Sequence, residues 1–191
     1  LVMQGHPEAG RQRIKKMLPG EPLLATIALQ HHERIDGSGY PNHLQGEQIH
    51  RYARIVAIAD VYDALTSVRP YKRAYTPSVA HRIMATCSPG HFDVELLKLF
   101  FDNVAIYPVG TIVKMKVGYG IVKKVEFGHT LTPNVCVFAS QEGKLLDEPY
   151  DLASEDAPPG MLEGAISDSE LYHFIHNINM DPAVFLQESA G

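Results

Sequence analysis

The chain has 191 residues, 45% of them hydrophobic and 20% charged, and a formal net charge of -5. At about 100–200 residues per domain, that is one ordinary domain plus a small appendage, and the balance of apolar and charged residues is that of a globular protein. No run of about 18 apolar residues exists, which excludes a spanning helix.

The charge is uneven. Residues 1–103 carry 12 Lys+Arg against 10 Asp+Glu, a net of +2, and residues 104–191 carry 5 against 12, a net of -7. A general binder of nucleic-acid polymers needs a basic face, so that class is set aside. A nucleotide ligand needs only a local positive pocket and stays open. The start, LVMQGHPEAG, has neither the basic nor the apolar region of a secretory signal. Cys87 and Cys136 form no CxxC pair and read as reduced thiols. A cytoplasmic location without membrane contact is expected. The first residue is Leu1, so the chain reads as a fragment of a longer one.

In chain order, residues 7–18 predict a short helix opened by Pro7 and ended by Pro19-Gly20. Residues 22–34 predict a second, started by Pro22, with Leu23, Leu24, Ile27, Ala28 and His31 at helical spacing. Asp36 to Pro41 is a turn, and Pro41 biases Tyr40 towards an extended backbone. A loop follows to His50. Residues 51–67 (RYARIVAIADVYDALTS) predict the strongest helix, apolar nearly all round and so expected to be buried. Its small residues Ala53, Val56, Ala57, Ala64 and Ser67 form a stripe that includes Asp60. Residues 77–87 and 92–103 predict two further helices. After Tyr107-Pro108 the pattern becomes β-branched and alternating. TIVKMKV, GIVKKVEF and NVCVFAS predict an antiparallel unit of three or four strands. The predicted turns are Val117 to Gly120, Gly128 to Pro133 and Gln141 to Gly143. Residues 147–164 are acidic and contain Pro158-Pro159-Gly160, which reads as a linker, and residues 168–178 predict a last short helix. The expected domains are 1–103 helical, 104–150 a small β extension, and 151–191 a linker with that helix.

Three polar features lie beside apolar helix faces in the helical half: His6, the pair His31-His32, and Asp60. Taken singly, His6 suits a helix start and Asp60 suits a hydrogen-bonded core acid. The adjacent histidines are harder to explain without chemistry. Neighbouring helix side chains point about 100° apart, so two such imidazoles are expected to reach two neighbouring metal ions, or two sides of one cluster. A buried aspartate needs a basic partner, hydrogen bonds or a metal. A mixed histidine and carboxylate set suits Fe, Mn or Zn more than Mg or Ca. Arg69, Lys72 and Arg73 follow at once, and beside a metal cluster they suit phosphate. Lys114, Lys116, Lys123 and Lys124 read as edge protection of the sheet. His43, His50, His81, His91, His129, His173 and His176 read as surface or core residues, and Tyr107 and Phe127 as packing residues.

HHERIDGSGYP, the loop with Leu44, Gly46, Glu47 and Ile49, and then ARIVAIADVYDALTSVRPYKRA together resemble the HD-GYP phosphodiesterases over roughly residues 3–100. The resemblance implies a mainly α fold: an HD-type helical bundle, here incomplete, followed by a small antiparallel β unit. It implies metal-dependent hydrolysis of cyclic di-GMP to pGpG or GMP, with two or three divalent ions, Fe or Mn. His6, His31, His32 and Asp60 align with metal ligands. Asp63, Arg69 and Lys72 align with positions near the cyclic dinucleotide. Asp36, Gly37, Gly39, Tyr40 and Pro41 form the GYP loop, a candidate contact for diguanylate cyclase (GGDEF) proteins. The family's His-Asp dyad, and the lysine beside it that assists the leaving group, have no counterpart in this chain, and would lie before Leu1. By that expectation the fragment holds metal weakly and is inactive alone. Its rival is a module that senses cyclic di-GMP or docks a partner without catalysis.

Overall fold

The computed structural model describes residues 3–68, 74–153, 155–158, 160–167, 169–171 and 174. The chain divides into two compact units, Leu1–Phe100 and Phe101–Gly191.

The first unit is helical. Its elements are α1 (His6–Met17), α2 (Pro22–Gln30), α3 (Arg51–Thr66), α4 (Pro77–His91) and α5 (Val94–Asn103), the last running across the boundary. Pro7, Pro22 and Pro77 sit in the first turns of α1, α2 and α4, where the missing N–H would have no partner in any case. Successive helices pack α1 on α2, α2 on α3 and α3 on α4. Small residues set the approach, since Ala25, Ala53 and Ala80 are almost fully buried, together with Ile49, Ile58 and Met84. Arg54 ties α3 to the loop before it and to the start of α5. Its Nε donates to the Ile49 carbonyl at 3.0 Å and its Nη1 to Asp93 Oδ2 at 2.8 Å. Asp93 Oδ1 in turn accepts the Leu96 N–H at 3.1 Å at the start of α5.

Three expectations change here. α2 ends at Gln30, not residue 34: the His31 N–H still reaches the Ile27 carbonyl, but the Glu33 N–H turns back to Gln30. α4 runs on to His91, past the expected 87 and through Pro89. α3 is not a wholly buried helix. Ala53 and Ile58 are buried, while Tyr52, Ile55, Val56 and Asp60 are exposed. Its all-round apolarity therefore does not report its burial. Of its 16 residues two are buried, seven half-buried and seven exposed.

The second unit is a five-stranded antiparallel sheet, β1 (Ile112–Met115), β2 (Gly118–Lys124), β3 (Asn134–Ala139), β4 (Leu145–Leu152) and β5 (Leu162–Ala165), in the order β4-β3-β2-β1-β5. Alternation sorts its side chains to two packed faces. Ile112, Ile121, Cys136 and Phe138 face Tyr119, Ile166, Leu171 and Phe174. Val113, Met115, Val122, Val135 and Val137 face Tyr107, Leu146, Leu152, Met161 and Leu162. The acidic stretch read as a linker, residues 147–164, holds the end of β4 and most of β5. β5 forms because β1 would otherwise present an open edge, and Val113 pairs with Ala165 there. β1 is thus an interior strand, and Lys114 faces Glu163 at 3.7 Å rather than guarding an edge. The first hairpin turns at Lys116-Val117, and Gly118 to Gly120 belong to β2. Phe127 is 78% exposed, not packed. The expected last helix falls mostly outside the described residues.

Candidate metal centre

His6 is the first residue of α1, and His31 and His32 follow the last residue of α2. Because the helix has already ended, the 100° offset of helical neighbours does not apply. The two rings lie 4.1 Å apart between centroids. Both turn to the same point: His6 Nε2 is 3.2 Å from His31 Nε2 and 3.0 Å from His32 Nε2. One ligand atom from each of the three lies within 4.8 Å of the others. Of the two arrangements expected of adjacent histidines, two neighbouring ions or two sides of one cluster, a shared point is compatible with the second.

The donor chemistry fits a cation. His31 Nδ1 lies 2.9 Å from the Ala28 carbonyl. A carbonyl only accepts, so Nδ1 carries the proton and Nε2 offers its lone pair to the cluster. Neighbouring ligands of an ion held at ~2.0–2.1 Å stand about 3 Å apart, which is the spacing found between the imidazole nitrogens. Each ring would therefore present a nitrogen that a divalent ion such as Fe, Mn or Zn takes readily.

Asp60 on α3 stands to one side. Its Oδ2 is 3.8 Å from His32 Nδ1, and its side chain is 45% exposed, not buried as expected. It lies beside the second nitrogen of His32, on the opposite side of that ring from the histidine cluster. Asp63, one turn on and exposed, accepts from Ser67 Oγ at 2.8 Å and so closes the end of α3. Arg69 and Lys72 lie outside the described residues.

The GYP loop is held against the cluster. The Tyr40 ring stacks on His32, 4.8 Å between centroids and 28° between planes, and the Tyr40 N–H donates to the His32 carbonyl at 3.1 Å. The Tyr40-Pro41 peptide is cis. Asp36 Oδ1 accepts the Ser38 N–H at 2.8 Å, and the Asp36 N–H reaches the Gly90 carbonyl at the end of α4. Gly37 adopts φ +81, which favours glycine. At Gly39 a Cβ would stand 2.3 Å from the Arg34 nitrogen, so no side chain fits.

The residue that the sequence reading passed over is Glu33. It is 3% exposed, and its two carboxylate oxygens accept the N–H groups of Asn42, at 2.7 Å, and Leu44, at 3.1 Å. It thereby pins the far side of the loop whose near side carries Tyr40. Its only signal in the sequence is an acid placed directly after the histidine pair. His50, read as a surface or core residue, caps α3, accepting the Tyr52 N–H at 3.3 Å.

Electrostatics keep the site receptive. His32 lies below the ordinary imidazole value, through burial first and the neighbouring His31 next, with Asp60 opposing. Burial also lowers His81, and raises the Tyr40 hydroxyl, with Asp60 adding to the effect. A histidine whose folded value lies below its unfolded value of 6.5 stabilises the fold fully above that value. The contribution drains away as pH falls below it, because the unfolded chain then binds more protons. The metal-free protein is therefore expected to melt at a lower temperature at pH 5.5 than at pH 7.5. His81→Gln is expected to flatten that slope, and an unchanged slope in thermal melts with chelator present would count against His81.

A family model described as HD domain matches residues 2–96. A cyclic di-GMP phosphodiesterase of Pseudomonas aeruginosa is 41% identical over 145 residues, 75% of this chain and 35% of that protein. A cyclic di-GMP phosphodiesterase response regulator of Xanthomonas campestris is 52% identical over 84 residues, 41% of this chain and 21% of that protein. A 3'3'-cGAMP-specific phosphodiesterase of Vibrio cholerae is 40% identical over 105 residues, 53% of this chain and 20% of that protein. The chain thus spans about a third or less of the length of these relatives. Among the described residues, no helix is long and apolar enough to cross a membrane.

Proposed function

Residues 2–96 belong to the HD domain family, and from that premise we propose that the full-length protein is a metal-dependent phosphodiesterase of the HD-GYP type that hydrolyses cyclic di-GMP to pGpG or GMP. The convergence of three imidazole nitrogens carries this reading. His6, His31 and His32 would hold a divalent ion, Fe or Mn, and Asp60 would serve a neighbouring ion from the other side of His32. Such ions supply Lewis acidity and bring the pKa of water towards neutrality. The chain's own part is to orient and to exclude. The Ala28 carbonyl fixes the His31 tautomer, and the Tyr40 ring covers one face of His32. Asp63, Arg69 and Lys72 would meet the nucleotide, the two cations neutralising phosphate oxygens. The exposed side of the GYP loop would be the contact for GGDEF proteins. The relatives named for cyclic di-GMP support the substrate, and the relative named for 3'3'-cGAMP makes that dinucleotide the second substrate to assay.

The test is turnover of cyclic di-GMP by the full-length protein loaded with Fe(II) or Mn(II). His32→Ala is expected to lower bound metal and to cut turnover at least about 100-fold, the scale of removing a group on which the bound ion depends. Unchanged turnover in that variant would remove the histidine pair from the mechanism. Binding of cyclic di-GMP without any turnover would favour the sensing module instead.

A further inference from the structure

Lys123 is out of place in the β unit. It lies on β2, and in the order β4-β3-β2-β1-β5 that strand is interior, so Lys123 guards no sheet edge. Its side chain is only 19% exposed. A bulge puts it there. Val122 pairs with Val135 and Lys124 with Asn134, so two steps along β2 match one along β3, and Lys123 is the extra residue. A bulge leaves its extra residue out of the ladder and re-aims the side chain, and such bulges are over-represented beside functional sites. Here the side chain lines a cavity of about 520 Å³, within the ~300–1,000 Å³ of small-molecule sites. Val135 and Leu152, paired across β3 and β4, give it an apolar lining. The Asp156 N–H donates to the Ala153 carbonyl at 3.1 Å, and that turn sets Asp156 on the cavity wall.

The charges of the lining select the ligand. Lys123 and Lys124 stand against Asp151 and Asp156, so the wall is neutral overall. Lys124 pairs with Glu126 at 3.0 Å. Lys123 Nζ donates to Asp151 Oδ2 at 3.2 Å, its partner among the described residues. An ammonium carries three donors, so two remain for an anionic oxygen. A phosphate dianion is disfavoured there, because residues 104–191 carry a net charge of -7 and repel it. A carboxylate joined to an ammonium brings no net charge and answers both signs of the wall. We propose that this cavity binds a zwitterion of dipeptide size with aliphatic side chains: its carboxylate on Lys123, its ammonium at Asp151 and Asp156, and its apolar body on Val135 and Leu152. The inference stands apart from the phosphodiesterase reading, and it gives the β unit a ligand of its own.

The probe is L-leucyl-L-leucine, titrated by calorimetry into the full-length protein. Saturable binding with Kd below about 1 mM is expected. The N-acetylated dipeptide, which lacks the ammonium, and the dipeptide amide, which lacks the carboxylate, are each expected to bind at least tenfold more weakly. Lys123→Met keeps the aliphatic stem, removes the charge and is expected to weaken binding at least tenfold. Asp156→Asn, at an exposed position, is expected to do the same, and it decides the matter if Lys123→Met does not fold. His32→Ala is expected to bind the dipeptide as the unsubstituted protein does. Absence of saturable binding up to about 10 mM would overturn the proposal, as would unchanged affinity in Asp156→Asn or in folded Lys123→Met, or equal affinity for the two blocked dipeptides. Failure of the full-length protein to hydrolyse cyclic di-GMP would leave it standing.

Discussion

Glu33→Ala is expected to destabilise the helical unit by about 3 kcal/mol and to release bound metal, although Glu33 touches none of the three clustered nitrogens. Hydrogen bonds to a charged group contribute roughly 1.5–3 kcal/mol each, and Glu33 makes two, to the Asn42 and Leu44 N–H groups. The sum falls at the lower end because Asn42 is exposed and Leu44 only half-buried, so water can replace the carboxylate at both. The consequence for the site is positional. Residues 40–44 are held to residues 32–33 at both ends, by the Tyr40 N–H on the His32 carbonyl and by the two bonds to Glu33. Without the second anchor the Tyr40 ring loses its fixed stack on His32. Glu33→Gln keeps one acceptor and turns an amide N–H₂ towards a backbone donor, so its cost is expected to fall between alanine and the natural residue. Urea unfolding and metal content per chain measure both effects. A stability within about 0.5 kcal/mol of the unsubstituted protein, the range of ordinary surface changes, would show that the carboxylate does not hold the loop.

Gly118→Ala is expected to cost about 4 kcal/mol, for a reason that can be separated from loss of the glycine conformation. Gly118 has φ +138, and a Cβ there would stand 1.9 Å from the Ala139 carbonyl oxygen and 3.0 Å from two further backbone carbons. Those atoms belong to the end of β3, whose Ala139 pairs with Tyr119, and cannot withdraw without breaking the ladder. An unfavourable backbone conformation alone costs of order 1–3 kcal/mol, and lost strand pairing adds the rest. Gly128→Ala is the control. It has φ +78 but nothing within 4 Å of the added carbon, so only the conformational part, about 1–2 kcal/mol, is expected. Alkylation of the buried Cys136 reads the outcome directly, since it lies on β3 and reacts only when the sheet opens. Equal stability of the two variants would mean that the close approach at Gly118 is not enforced.

The helix starts were legible because proline at a first turn is a local signal, and Pro7, Pro22 and Pro77 each open a helix within one residue of expectation. The end of α2 was not. Residues 31–34 carry nothing that forbids a helix, and the chain leaves it because Glu33 gains two backbone donors from residues nine and eleven positions on. The geometry of the histidine pair follows from that ending. The burial of α3 was misread because an apolar sequence records what a helix can bury, while the partners present decide what it does bury. β5 was hidden inside an acidic stretch for the same reason, its place being set by the open edge of β1 rather than by its own pattern.

From sequence alone came the residue types of the site, their order, the helical and β halves, and the resemblance that pointed to a phosphodiesterase. All of these are properties of neighbours along the chain or of spacing within one element. The meeting of His6 with His31 and His32, the offset of Asp60 beyond the His32 ring and the Glu33 anchor were decided by tertiary structure. They depend on contacts between residues about 9 to 28 positions apart, and at the longer separations the packing of α1 on α2 and of α2 on α3, not local preference, determines which atoms meet.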